Sequence, residues 1–203
     1  MLASITPLGE RGRGNRWWLT ALAYEVGSIV GGAAMGAAAG TIGLPLAHLL
    51  LTSALARAVA GAAVTAVALA LEIGMRNARS RLPGPRRQVD KAWLDRYRGW
   101  VYGGGFGLQL GTGLVTIVNS AAMYALVGLL IAMGSPATGA AVGALFGLAR
   151  ALPLLAFGRA RDFVSLQQVH RRLDRLAASS RAGTAGVLAG VSVLLVVVSA
   201  AAR

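Results

Sequence analysis

No cysteine occurs among the 203 residues. Disulfides, thiol–disulfide exchange and thiolate metal ligands are thereby excluded. Acidic residues are nearly as scarce, since seven Asp and Glu stand against 20 Lys and Arg, a formal net charge of +13. His48 and His170 are the two histidines, and neither reads as a metal ligand. No metal or cofactor is expected. The chain also lacks a paired-carboxylate motif, a P-loop and a glycine fingerprint following a strand. Gly103-Gly104-Gly105-Phe106-Gly107 imitates a phosphate loop, but it carries no Lys and lies within an apolar run. Ser28, Ser53 and Ser120 have no base to activate them except His48, and nothing ties His48 to them. The sequence therefore reads as a non-enzyme.

What the chain does have is apolar residues, 56% of the total, with only 13% charged against roughly 25% in ordinary soluble domains. The charges gather in stretches 10–16, 76–98 and 159–181 and leave long apolar tracts between them. In water those tracts would expose large apolar patches. A membrane helix needs about 20 apolar residues to cross ~30 Å of hydrocarbon. The fold class follows: an all-α, polytopic transmembrane bundle in a single membrane domain.

Five spans are predicted, at 17–42, 44–74, 100–133, 136–157 and 183–202. Arg11, Arg13 and Arg16 precede the first. Eight basic residues (Arg76, Arg79, Arg81, Arg86, Arg87, Lys91, Arg96, Arg98) fill loop 75–99, and six (Arg159, Arg161, Arg171, Arg172, Arg175, Arg181) fill loop 158–182. Basic loops stay cytoplasmic. This places the N-terminus inside, in a plasma or inner membrane, with uncharged turns at Gly43–Leu44 and Gly134–Pro136 outside. The apolar run after Arg16 is too long for a signal peptide, so the first span is expected to be retained. A continuous helix over 100–133 would measure ~50 Å. That span is expected to tilt steeply or to break near Asn119 and Ser120, which would raise the count to six.

The net positive charge suits anionic headgroups, at about 1 kcal/mol per basic residue near the surface. Lipid, not nucleic acid, is the expected partner. Phe163, Leu166, Val169, Leu173 and Leu176 recur at helical spacing, as do Val89, Trp93, Leu94 and Tyr97, and both stretches read as helices in the headgroup plane. Trp17, Trp18, Trp100 and Tyr102 mark boundaries between charged and apolar sequence and read as interfacial anchors. At an offset of 82 residues, Arg16, Trp18, Tyr24 and Gly31 match Arg98, Trp100, Phe106 and Gly113, a faint parallel repeat. Glycine stripes run through Gly27, Gly31, Gly32, Gly36 and Gly40, through Gly103, Gly107 and Gly111, through Gly139, Gly143 and Gly147, and through Gly186 and Gly190. Small residues four apart let helix backbones approach closely in lipid, within this chain or against a homo-oligomeric or other membrane partner.

Charges at bilayer depth are expensive and mark functional positions. Glu25 lies ~12 Å into the first span, and Arg150 lies ~10 Å from the cytoplasmic end of the fourth. Their depths match, so they are expected to pair. Arg57, read as near the middle of the second span, must snorkel, pair with Glu25 or Glu72, or line a wet cavity. Either these residues form an ion pair that fixes packing, or Glu25, Arg57 and Arg150 line a polar path, with Gln109 and Asn119 adding uncharged contacts. The first reading suits an accessory subunit of a larger membrane complex. The second suits a small transporter moving or gating a solute or ion.

The small size, the paired halves about a basic loop, and the run Gly143-Ala144-Leu145-Phe146-Gly147-Leu148-Ala149-Arg150-Ala151-Leu152-Pro153 resemble the transmembrane family of cytochrome c biogenesis (CcdA/DsbD-like) proteins and related small exporters. The resemblance implies a six-span, transporter-like scaffold. That family moves reducing equivalents through a pair of membrane cysteines. Here Asn119-Ser120-Ala121 stands in the comparable third span, so the redox activity and its site residues do not carry over.

Overall fold

The computed structural model describes residues 5–78, 96–113, 120–159 and 163–201. Among these residues the regular structure is entirely helical. The helices are α1 (Pro7–Gly12), α2 (Trp17–Leu49), α3 (Ala54–Ala78), α4 (Gly99–Thr112), α5 (Ala122–Met133), α6 (Pro136–Ala151), α7 (Pro153–Ala156), a 3-10 turn at Phe157–Arg159, and α8 (Phe163–Ala201). Three of these stretches, Trp17–Leu49, Ala54–Gly74 and Pro136–Ala156, are long and apolar enough to cross a membrane; Ala122–Met133 and Gly183–Val197 are shorter apolar helices. Large side chains such as Leu22, Val26, Val30, Val67, Leu145, Val193 and Leu194 point outward. Water would disfavour so much exposed apolar surface, and lipid accommodates it.

Several boundaries differ from the sequence reading, each for a local reason. The turn expected at Gly43–Leu44 is helix. α2 continues through Pro45 to Leu49, and the chain turns at Leu50–Ser53 instead. Gly43 serves packing, since a methyl group there would overlap the Ile131 carbonyl. Pro45 removes one backbone bond, a loss that membrane helices tolerate among close neighbours. The second span accordingly starts at Ala54, with the Ser53 hydroxyl accepting from the Ala56 N–H at 3.0 Å as an N-cap. The overlong third span is two helices. Gly113, at φ 67°, ends α4 in the left-handed conformation that glycine adopts without strain. Asn119 itself lies outside the described residues. Gly134 ends α5 in the same way at φ 57°, and the Ser135 hydroxyl then accepts from the Thr138 N–H at 3.3 Å beside Pro136 at the start of α6. The surface helix and last span expected after residue 163 are one continuous helix, α8. The second surface helix falls mostly in 79–95, outside the described residues.

The chain divides into two compact units. The first comprises 1–35, 85–117 and 142–177. Within it α2 and α4 run parallel, and each buries carbonyls against the other's glycines. Methyl groups at Gly103, Gly107 and Gly111 would overlap the carbonyls of Thr20, Tyr24 and Ser28; methyl groups at Gly27 and Gly31 would overlap those of Gly104 and Leu108. α6 packs antiparallel on the next face of α2, Gly32 on the Gly143 carbonyl and Gly147 on that of Ser28. Van der Waals contact at this range is what holds helices together where lipid offers no hydrophobic drive. Of the repeated positions, Trp18 and Trp100 are both exposed, and Tyr24 and Phe106 share one buried cluster. Gly31 and Gly113 part company, one a packing residue and the other a helix terminator.

The second unit comprises 36–84, 118–141 and 178–203. In it α3 runs antiparallel to α5 and to α8. Gly128 sits under Val64, Gly61 under Leu129 and Leu195, and Gly139 against the Gly36 carbonyl. Ala68, Ala121, Ala125 and Leu188 form its core. The Ser192 hydroxyl donates to Thr65 at 2.8 Å across the α3–α8 seam. The fourth glycine stripe departs from this pattern: Gly186 and Gly190, like nearby Gly183, meet nothing within 4 Å among the described residues.

Candidate functional site

In the first unit, Ser28 and Gly32 define the edge of α2 that meets α6, and Glu25 lies on that edge one turn earlier. The antiparallel register pairs Gly32 with Gly143 and Ser28 with Gly147, and its continuation brings Glu25 level with Arg150. The Ser28 hydroxyl donates to the Gly147 carbonyl at 2.7 Å and fixes that register. Glu25 is 8% exposed. Among the described residues neither of its carboxyl oxygens has a hydrogen-bond partner. The close ion pair expected with Arg150 is therefore level but not joined by a hydrogen bond. The Arg150 guanidinium lies over the Phe146 ring, 5.4 Å from its centroid, a cation–π geometry. Tyr24 is within electrostatic reach of both Glu25 and Arg150. An uncompensated buried carboxyl is costly at bilayer depth and is characteristic of functional positions.

The other expected members stand apart from this cluster. Arg57 is not near the middle of its span. It is exposed one turn into α3, in the second unit, where its Nε donates to the Leu51 carbonyl at 2.9 Å and its guanidinium reaches that of Thr52 at 3.4 Å. Its error in placement followed from the error in where α3 begins. Gln109 is half-buried on α4 but lies off the edge formed by Gly103, Gly107 and Gly111; its backbone carbonyl accepts from the Thr112 hydroxyl at 2.9 Å. His48 is exposed in the last turn of α2.

Two buried carboxyls emerge that the sequence reading did not single out as sites. Glu10 is fully buried. One of its oxygens accepts from Arg13 at 2.7 Å and from the Tyr102 hydroxyl, and the other accepts from Thr20 at 2.9 Å. Arg13 and Asn15 each also reach the Tyr102 oxygen at 3.4 Å. Tyr102 is thus a fully buried member of a polar network rather than an interfacial anchor. The available signal was local: Thr6-Pro7 opens α1, with the Thr6 hydroxyl capping the Gly9 N–H at 3.1 Å, which places Glu10 in the first turn. Glu72, in the second unit, accepts from the Ala121 N–H at 2.8 Å and from the Ser120 hydroxyl at 3.1 Å. It caps the start of α5, just beyond the break in the third span. Among the described residues no group of His, Asp or Glu could hold a metal.

These features define a polytopic helical integral membrane protein, its helices joined through glycine–carbonyl contacts and Glu10, Glu25 and Glu72 buried. Comparison with known proteins sharpens the class. The model of the cytochrome c biogenesis protein transmembrane region matches residues 2–198, and the chain belongs to that family. It is 30% identical over 160 residues to the methylamine utilization protein MauF of Paracoccus versutus, an overlap covering 75% of this chain and 55% of that protein. No solved structure matches.

Proposed function

We propose that this chain moves or gates a small solute or ion across the membrane, with Glu25 as the group that takes up and releases a proton or cation and Arg150 as the counter-charge at the same level. One observation carries the reading: Glu25 is buried on the α2–α6 seam with both carboxyl oxygens unpartnered among the described residues. A structural ion pair would have its lone pairs satisfied. A group that must exchange its ligand gains from leaving them open. Family membership supports a multi-span membrane scaffold, and the absence of cysteine removes thiol chemistry from it. In this reading the chain lies in the plasma or inner membrane with its N-terminus cytoplasmic. Its exposed Arg11, Arg16, Arg98, Arg171, Arg172 and Arg175 face anionic headgroups. Arg57 takes no part, because its side chain is exposed at the start of α3 and turned onto the loop carbonyls of Leu51 and Thr52.

The test is proton uptake into vesicles that contain a pH-sensitive dye, driven by an imposed potassium diffusion potential. Uptake through Glu25→Gln should fall at least tenfold while the purified protein keeps its melting temperature. Unchanged uptake would remove Glu25 from the path.

A second reading, an accessory subunit of a larger membrane complex, draws on two observations. Gly183, Gly186 and Gly190 face outward and meet nothing within 4 Å among the described residues. The relative in Paracoccus versutus is named for methylamine utilization. Mild-detergent purification that retains a stoichiometric second protein, together with unaltered uptake in Glu25→Gln, would favour this reading.

A further inference from the structure

We infer that the N-terminal segment 5–16 is a latched gate over the Glu25 site, released when Glu10 leaves Tyr102. This inference deepens, and rests on, the exchange role proposed for Glu25. The segment is not a loose tail. Ile5 packs into the same buried cluster as Tyr24, Tyr102, Phe106, Ala151 and Leu154, with Trp17 against it. The Trp17 indole donates to the Ile5 carbonyl at 3.4 Å. The segment therefore closes the end of the α2–α4–α6 packing from which Glu25 would be reached. Thr20, bonded to Glu10, precedes Glu25 by five residues, or ~7.5 Å of helix rise. Tyr24 lies between them and neighbours Glu25 directly.

The latch is small and polar, whereas the surfaces around it are apolar or backbone. Its bonds converge on one carboxylate, and their donors come from three elements: Arg13 after α1, Thr20 on α2 and Tyr102 on α4. Gly99 completes it, because a methyl group there would overlap the Thr20 hydroxyl and press on Glu10. One carboxylate thus ties the strap to α2, which carries Glu25, and to α4, and removing a single bond shifts the balance between closed and open forms. Hydrogen bonds to a buried charged group are strong enough for one such loss to change an equilibrium roughly tenfold or more.

The absence of cysteine makes access directly measurable. With Glu25→Cys as the sole thiol in the full-length protein in vesicles, a membrane-impermeant maleimide is applied to each side in turn. Labelling should be slow in that background. It should accelerate at least tenfold, from the side bearing the N-terminus, on adding Tyr102→Phe, Glu10→Gln or Gly99→Ala. Adding Arg11→Gln, which changes an exposed residue of the same strap, should leave the rate unchanged. Fast labelling in the Glu25→Cys background, or equal rates with and without Tyr102→Phe in protein of unchanged melting temperature, would overturn the gate. Tyr102→Phe is nearly isosteric, so it carries the test should Glu10→Gln fail to fold. Labelling needs no substrate, which separates the two proposals. Latch-dependent access with normal uptake by Glu25→Gln refutes the exchange role alone, and latch-independent access with lost uptake refutes the gate alone.

Discussion

Glu72 offers the most direct check on the broken third span. Its carboxyl accepts from the Ala121 N–H at 2.8 Å and the Ser120 hydroxyl at 3.1 Å, and it is 3% exposed. Replacing it with Ala removes two hydrogen bonds worth about 1 kcal/mol each, and leaving the Ala121 N–H unsatisfied in apolar surroundings adds a further ~1–2 kcal/mol. Ser120 limits the damage, because its hydroxyl still accepts from the Ala122 N–H at 3.2 Å. The expected loss is about 3 kcal/mol, a fall in melting temperature on the order of 10 °C. Gln keeps one acceptor oxygen, so Glu72→Gln should lose only about 1 kcal/mol. Thermal unfolding in mild detergent, followed by size-exclusion of the surviving folded fraction, measures both variants. The order of stability should be wild type, then Gln, then Ala. A Glu72→Ala protein as stable as wild type would refute the cap, and with it the assignment of α5 as a helix that begins at this carboxylate. Gln as harmful as Ala would show that charge, rather than the two bonds, sets the stability.

The glycine packing predicts a contrast between stripes. Gly107→Leu should destabilise by at least ~1–3 kcal/mol, because α2 and α4 must separate around the Tyr24 carbonyl, and the same assay should show it. Gly186→Leu, which meets open space, should leave the melting temperature of the isolated protein within a few degrees of wild type. Arg57→Gln should leave proton uptake unchanged and alter stability by no more than about 1 kcal/mol, since the side chain is exposed at a helix start; a loss of uptake comparable to that of Glu25→Gln would return it to the path.

Composition and charge position settled the class. Hydrocarbon thickness demands apolar runs of a certain length wherever they occur, and basic clusters remain legible because they depend on no neighbour. The overlong third span was also visible in the sequence, and only its manner of breaking required Gly113 to be seen in the left-handed conformation. Glu25 and Arg150 could be matched in depth by counting residues along two spans. Whether they bond depends on side-chain placement across the seam, which counting does not reach. Gly43-Leu44-Pro45 reads as a turn locally, yet it is helix because Gly43 lies against the Ile131 backbone. The three packed glycine stripes and the outward-facing Gly186–Gly190 pair have the same spacing, and only the presence or absence of an opposing carbonyl separates them. Glu10 looked like one charge in a basic leader. Arg13 and Thr20 from close by in the chain, and Tyr102 from far along it, made it the centre of a buried network. The membrane class was thus determined by the sequence alone, because solvent acts on every residue independently. The site and its latch were decided by tertiary structure, because they depend on which backbone and side-chain groups face each other.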